Sequence, residues 1–285
     1  RVPLPRFANV AVRELVANAL VHREYRLPGP VLVEIDESAM TVSNPGGLPE
    51  GVTLDNLLTT PPRPRNPTIA DAFKRAGLVD RTSRGINRVF LSQLQIGRPA
   101  PDYGRSTQSS VVARLRSGPA DRELAAFIAE SRQRGQHFGL EDLLVLHEVR
   151  AERRISTSRA AELFQVGQHE ARSVLNGLVE RGLLEARGEA KGRTYHLAAA
   201  VYRRLGEPVH YVRTRGFDQL QQEQMVLAYV ASHGRITRRE AAELCQLESE
   251  QASRLLTRLR AEGKLRMEGA RRTAYYVAVN EEGGT

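Results

Sequence analysis

Glu14 and Asn18 stand four residues apart in the run Arg-Glu-Leu-Val-Ala-Asn-Ala-Leu-Val-His-Arg-Glu-Tyr, residues 13–25. The run has a helical pattern, with Leu15, Ala19 and His22 on one face, so the spacing of four projects a carboxylate and an amide together from another. His22, alone on an apolar face, reads as a hydrogen-bonded structural residue rather than a catalyst. A second set of capable side chains lies far downstream. Gln168, His169, Arg172, Ser173 and Asn176 face outward from a helical stretch whose apolar side is Ala171, Leu175, Leu178 and Val179. Arginine suits the acceptors of guanine, and asparagine or glutamine suits adenine, so this face has the groups to read base edges in duplex DNA.

The elements that must hold the first pair follow at once. Residues 31–36 and 40–43 are β-branched and alternate, which predicts a hairpin over the short turn at residues 37–39. Residues 49–68 carry Pro49, Gly51, Pro61, Pro62, Pro64 and Pro67, too many breakers for a long regular element. Helices are predicted over residues 67–76 and 83–94, and a closing strand over residues 109–115. This order gives an α/β sandwich, one layer of sheet under one of helices, ended by Ser117-Gly118-Pro119.

Four short motifs occur in order: Glu14-Leu-Val-Ala-Asn18, Ser43-Asn44-Pro45-Gly46-Gly47-Leu48-Pro49, Arg65-Asn66-Pro67 and Gly85-Ile86. Together they resemble the N-box and glycine boxes of the GHKL ATPase superfamily. More narrowly they look like the ATP-binding half of bacterial regulators labelled "RecG-like", in which a Schlafen-type AlbA-like domain comes first. The resemblance covers roughly the first 115 residues. It implies ATP and Mg²⁺ as cofactors, with Asn18 as metal ligand and Glu14 as the catalytic residue that orients an attacking water. It also implies nucleotide contacts from Asn44, Gly46, Gly47, Arg84 and Gly85. Two positions depart from the family pattern. Asn44 stands where an Asp usually accepts from the adenine amino group, leaving an acceptor without charge. The second glycine box reads Thr82-Ser83-Arg84-Gly85-Ile86, with one glycine where several normally let backbone N–H groups cradle phosphates. The expected activity is at most that of a weak Mg²⁺-dependent ATPase, and the mobile lid of the superfamily falls in the proline-rich stretch.

A helix predicted over residues 121–134 leads into a second half with an internal repeat. Residues 155–166 align with residues 236–247 at an offset of 81, and the same offset matches Leu175 with Leu256, Leu178 with Leu259 and Gly182 with Gly263. Each copy has a leading helix (140–151 or 219–232), a short helix capped by Ser156 or Thr237, a longer helix (168–181 or 249–262) and two strands. Three helices and a hairpin resemble the winged-helix form of helix-turn-helix. In copy one Lys191 and Arg193 sit in the wing. In copy two Arg254 and Arg258 lie on the long helix, while Arg271 and Arg272 make a more basic wing. Copy one is thus expected to read bases and copy two to hold the backbone.

The fold expectation is therefore α+β: a GHKL-like domain over residues 1–117, and winged-helix domains over residues 118–205 and 206–285. A net charge of +9 favours an acidic partner. The excess is spread as 16 basic to 10 acidic residues over 1–120 and 26 to 23 over 121–285, so a DNA footprint must come from local placement. With no tryptophan, a stacking platform for single strands is not expected, and duplex DNA is the predicted partner, with a homodimer as a further possibility of the winged-helix units. Cys245 is the one cysteine, which excludes an intrachain disulfide and fits a reducing cytoplasm. No run has the length of a membrane span, and no Gly-x-x-x-x-Gly-Lys-Ser/Thr run is present to drive a helicase motor. The chain opens at Arg1 and reaches Glu14 almost directly, so a further domain ahead of it is expected. The function these features point to is a DNA-binding transcriptional regulator. The alternatives are an ATP-dependent enzyme acting on nucleic acid and a winged-helix scaffold for proteins.

Overall fold

Helix α1 (Asn9–His22) buries Ala11, Leu15 and Ala19, spaced so that they share one face. Under it lies an antiparallel sheet of β1 (Leu32–Ile35), β2 (Ala39–Pro45) and β3 (Ser110–Arg116), with β2 in the middle. The pleat sends Met40, Val42 and Asn44 of β2 to the covered side. Helix α2 (Pro67–Arg75) opens on Pro67, and α3 (Gly85–Gln95) contributes Val89 beside the α1 stripe. The hairpin turn is held by Asp36, whose Oδ1 accepts from the N–H groups of Ser38 and Ala39 at 2.6 and 2.9 Å. This computed structural model describes residues 4–78, 85–188, 192–205, 219–245, 247–269 and 274–279.

Both ends of α1 are held by side chains from elsewhere. At the start, the Ala8 N–H donates to Gln93 Oε1 at 3.3 Å. At the end, Asn66 Nδ2 donates to the carbonyls of Val21 and Arg23 at 2.9 and 2.8 Å, and the Asn66 N–H adds a third bond to Val21 at 3.1 Å. These satisfy carbonyls that a helix terminus leaves without partners.

The chain groups into two compact units, Arg1–Gly206 and Glu207–Thr285. In the first, α4 (Arg122–Gln133) is capped by Asp121, which accepts from the Leu124 N–H at 2.9 Å. Then come α5 (Leu140–Glu152), β4 (Ile155–Ser156), α6 (Thr157–Phe164), α7 (Gln168–Glu180), β5 (Leu184–Arg187), β6 (Thr194–Leu197) and α8 (Ala199–Arg204). The sheet order is β4-β6-β5. Helix α5 is tied to the N-terminal part by His147, whose Nε2 lies 2.8 Å from the Leu94 carbonyl, and by Arg150 against Asp121 at 2.7 Å.

The second unit repeats the series with α9 (Gln219–His233), β7 (Ile236–Thr237), α10 (Arg238–Cys245), α11 (Ser249–Ala261), β8 (Leu265–Glu268) and β9 (Tyr275–Ala278), in sheet order β7-β9-β8. The offset of 81 carries over to the pairing, since Ile155 faces Tyr195 and Ile236 faces Tyr276. Ala171, Leu175 and Leu178 and their counterparts Ala252, Leu256 and Leu259 are all fully buried. The copies agree along the buried face of this long helix, α7 or α11, and diverge in its outward residues.

Two features went unpredicted. Each sheet gains a third strand of only two residues, β4 or β7, too short for any period to show. Helix α8 is also new. Its Val201 and Tyr202 are buried, and Arg204 returns to α4, stacking on Phe127 at 4.3 Å.

His147 and His196 make this unit sensitive to acid. A carbonyl can only accept, so His147 Nε2 and His196 Nδ1, 3.0 Å from the Arg153 carbonyl, both carry protons. Burial is the largest cause holding each below its ordinary value of 6.5. Below about pH 6.5 the unfolded chain therefore binds more protons than the folded one, so this stability is complete above that pH and declines as pH falls. The urea midpoint should drop between about pH 7.5 and about pH 5.5, and His147→Gln should reduce the drop. An unchanged drop in that variant would remove His147 from the account.

Candidate functional site

Glu14 and Asn18 stay together in the structure, both bordering one cavity and both facing Gly85. Glu14 turns inward, its side chain 2% exposed, and its Oε1 lies 3.0 Å from Arg88 Nη1 on α3. Asn18 is half-buried and lines a cavity. What brings α3 so close is Gly85. A Cβ there would stand 3.0 Å from Glu14 Oε2 and 3.2 Å from Asn18 Oδ1. The missing side chain thus leaves open the space in front of the carboxylate and the amide.

Asn44 continues the inward register of β2, is 4% exposed, and turns Nδ2 toward the Pro45 carbonyl at 3.2 Å. Gly46 and Gly47 are occupied differently from a phosphate cradle. Gly46 has φ +92°, and a Cβ on it would collide with the Arg65 guanidinium and stand 2.7 Å from Glu24 Cβ. A Cβ on Gly47 would meet the Gln108 backbone. Arg65 Nη1 donates to the His22 carbonyl at 3.2 Å and Nη2 to Gly47 at 3.0 Å. The two glycines therefore admit Arg65 and a neighbouring strand end, and neither borders the cavity.

The cavity measures about 820 Å³, within the range of small-molecule sites. Its first wall is Glu14, Asn18 and His22 of α1 with Val42 and Asn44 of β2. Its roof is the proline-rich loop, including Val52, Leu57 and Leu58, with Arg63 and, from α2, Lys74 as cations. The third wall comes from the first repeat: Leu140 and Leu144 of α5, Phe164 of α6 and Gln165 in the turn before α7. His22 Nδ1 is buried and without a hydrogen-bond partner among the described residues. Burial first, and then the Arg65 charge, hold this imidazole below its ordinary range and so neutral.

The outward residues of α7 are placed as the helical period requires. Gln168, His169, Arg172, Ser173 and Asn176 are all exposed, and Asn176 Oδ1 accepts from Tyr195 Oη at 3.3 Å. Arg193 is exposed. On α11, Arg254 is exposed with Glu250 at 3.6 Å, and Arg258 is half-buried between Glu223 at 3.9 Å and Glu262 at 3.5 Å. Arg84, Lys191, Arg271 and Arg272 lie outside the described residues. No cluster of three or more His, Cys, Asp or Glu able to hold a metal occurs among the described residues.

Sequence reasoning missed Arg88 and Gln165. Arg88 sits one helical turn past Gly85 and could have been paired with the acid on α1, but only if the two helices were known to cross there. The prediction that follows is energetic. Removing one partner of a buried pair leaves a charge without compensation, so Arg88→Ala should cost about 3 kcal/mol, and Glu14→Gln made in the same background should recover part of it. Urea denaturation of the single and double variants decides this, and additive losses would show that the pair is not coupled.

Residues 29–115 match the protein family described as "Putative ATP-dependent DNA helicase recG C-terminal". The match supports an ATPase-like domain and takes in Asn44 and Gly85, while Glu14 and Asn18 lie ahead of it. A crystal structure of the DIP2311 protein from Corynebacterium diphtheriae is similar with a TM-score of 0.60 at 22% identity, over 98% of this chain and 51% of that one. This is a likeness of fold, and the chain spans about half the length of that protein. No curated protein matches the chain. No helix among the described residues is long and apolar enough to cross a membrane.

Proposed function

We propose that this chain is a DNA-binding transcriptional regulator in which an ATPase-like domain, residues 1–117, holds a nucleotide and two winged-helix domains, residues 118–205 and 206–285, engage duplex DNA. The observation that carries the reading is the pairing, within one compact unit, of a cavity bordered by Asn18 and Gly85 with an exposed polar face on α7. The family match over residues 29–115 supports the nucleotide half.

The residues present fit ATP with Mg²⁺ in one particular way. Asn18 offers a single neutral oxygen, and the nearby carboxylate of Glu14 is already matched by Arg88, so the protein does not supply a full ligand set. A Mg²⁺ brought in by phosphates needs only one or two protein oxygens, which Asn18 can meet. When bound, the ion would supply positive charge against the phosphates, with Asn18 as the residue to hold it. Arg63 and Lys74 are placed to meet remaining phosphate charge, and Asn44 Oδ1 is the candidate acceptor for a base amino group. Glu14, beside Asn18, is the candidate to orient water, and its ion pair with Arg88 already engages one of its two oxygens, which favours binding over rapid turnover.

On the DNA side, Gln168, His169, Arg172, Ser173 and Asn176 form the base-reading set, with Lys191 and Arg193 for the backbone. In the second copy Arg271 and Arg272 are assigned to phosphates, whereas Arg254 and Arg258 are partly engaged by carboxylates of their own unit. That internal pairing is what favours the second reading for copy two, a surface for protein.

Calorimetric titration with ATP should show binding that depends on Mg²⁺ and is lost in Asn18→Ala, with little phosphate released by the unaltered protein. Rapid hydrolysis stimulated by DNA would favour a nucleic-acid-processing enzyme instead, and no heat at millimolar nucleotide would mean a remnant site.

For DNA, Arg172→Ala should lower preference for a selected site over random duplex by about tenfold or more while changing the salt slope by no more than about 0.9. Replacing Arg271 and Arg272 together should weaken both duplexes alike. Competition binding at several salt concentrations reads both, and no effect from either change would put protein docking ahead.

A further inference from the structure

The proline-rich roof of the cavity is not attached only to the ATPase-like part. Gln165 Nε2 donates to the Leu54 carbonyl at 2.7 Å, and Gln165 Oε1 accepts from the Leu58 N–H at 2.6 Å. One side-chain amide thus holds the loop by two backbone groups, using both its donor and acceptor ends. The loop it grips is internally ordered: Asn56 Oδ1 accepts from the Thr53 N–H at 2.8 Å, Asn56 Nδ2 donates to Gly51 at 3.0 Å, and the Thr60 N–H reaches the Asn56 carbonyl at 2.9 Å. Residues 51–60 are therefore braced as a small ordered body. They hang from Gln165 on one side, and the chain beyond them is pinned by Arg65 and Asn66 to the end of α1.

Gln165 is also a structural pivot. It adopts φ +60°, one of two described non-glycine residues with positive φ, and forms the turn that aims α7. Val166 and Glu170, on either side of the start of α7, border the same cavity. A molecule filling the cavity accordingly touches the roof, the amide-bearing helix α1 and the approach to the base-reading helix.

We propose that Gln165 is a latch through which the cavity's ligand and DNA regulate each other: an occupant that shifts the roof shifts the Gln165 turn and with it Gln168 and His169 at the start of α7. The identity of the ligand as a nucleotide rests on the function proposed above; the latch does not. Because coupling between two binding equilibria is reciprocal, the factor by which ATP alters DNA affinity equals the factor by which DNA alters ATP affinity. Both factors depend on the amide of Gln165.

The variant that tests this is Gln165→Asn in the full chain. Asparagine tolerates the left-handed conformation better than most residues, so the turn is preserved, but it is one methylene too short to reach the loop. Gln165→Gly, which also accepts positive φ, is the companion. The first readout needs no ligand: exchange of the Leu58 amide, followed by NMR, should quicken about tenfold or more in both variants while amides of Leu175 and Leu178 stay protected. Unchanged exchange at Leu58 overturns the latch. The second readout is affinity for duplex DNA with and without Mg-ATP. Linkage in the unaltered protein, in the typical range of about 5-fold to 150-fold, should fall to near unity in both variants, with each ligand still binding alone. Linkage that survives loss of the amide, or is absent from the unaltered protein although both ligands bind, overturns the coupling. Absence of any ATP binding in the unaltered protein fails the nucleotide reading, while Leu58 exchange still decides the latch.

Discussion

The end of α1 is the constraint on which the site depends. Its last carbonyls are buried and must be paired, and the partners are Asn66 and Arg65, forty-odd residues away in the chain. Three things follow from that one need. The loop ahead of Arg65 is returned over the cavity, the turn after β2 must carry glycines so that the guanidinium fits against it, and α1 is held in the register that presents Asn18. The Arg-Asn-Pro motif is thereby a positioning device: two side chains grip the helix end and Pro67 then opens α2.

Much of this was legible in the sequence where a local rule governs it. Period fixed the elements. The offset of 81 located two copies of the same helical series, whereas the inward register of Asn44 shows only in the strand itself. What was not legible depends on which elements cross. Glu14 and Asn18 were read as projecting together from α1, and both border the cavity, but the Arg88 partner of Glu14 comes from α3 and shows only once the two helices cross. Gln165 could not be found at all, because its partners are backbone groups 107 and 111 residues away and carry no side-chain signature. Gly46 and Gly47 were expected to contact a nucleotide, and they border Arg65 and the Gln108 backbone instead. Glycine marks close approach, but it does not say what approaches.

The two copies show how the same scaffold can be given different electrostatics. On α7 the outward groups are mostly neutral amides and hydroxyls with one guanidinium, and the acid Glu170 at its start stabilises the N-terminal dipole. On α11, Arg254 and Arg258 are shared with Glu250, Glu223 and Glu262. Exposed pairs such as Arg254 with Glu250 contribute little to stability, but they do lower the charge available to a phosphate. With the buried faces of α7 and α11 alike at Ala171, Leu175 and Leu178 and their counterparts, the two long helices differ chiefly in their outward groups.

The Glu14–Arg88 pair and the Gln165 contact bear on the same question from opposite ends. A carboxylate that orients water must keep an acceptor oxygen turned to the cavity, and here the Arg88 pair engages Glu14 Oε1 while Oε2 faces the space left by Gly85. A ligand-read switch gains nothing from rapid turnover, since its signal lasts only while the ligand stays. It needs instead an enclosed site with a wall that belongs to the responding element, and here that wall is α5, α6 and the turn before α7. The far side of the cavity is built from α5, α6 and the turn before α7, so under the proposed regulation an occupant would sit against the start of the helix that presents Gln168, His169 and Arg172.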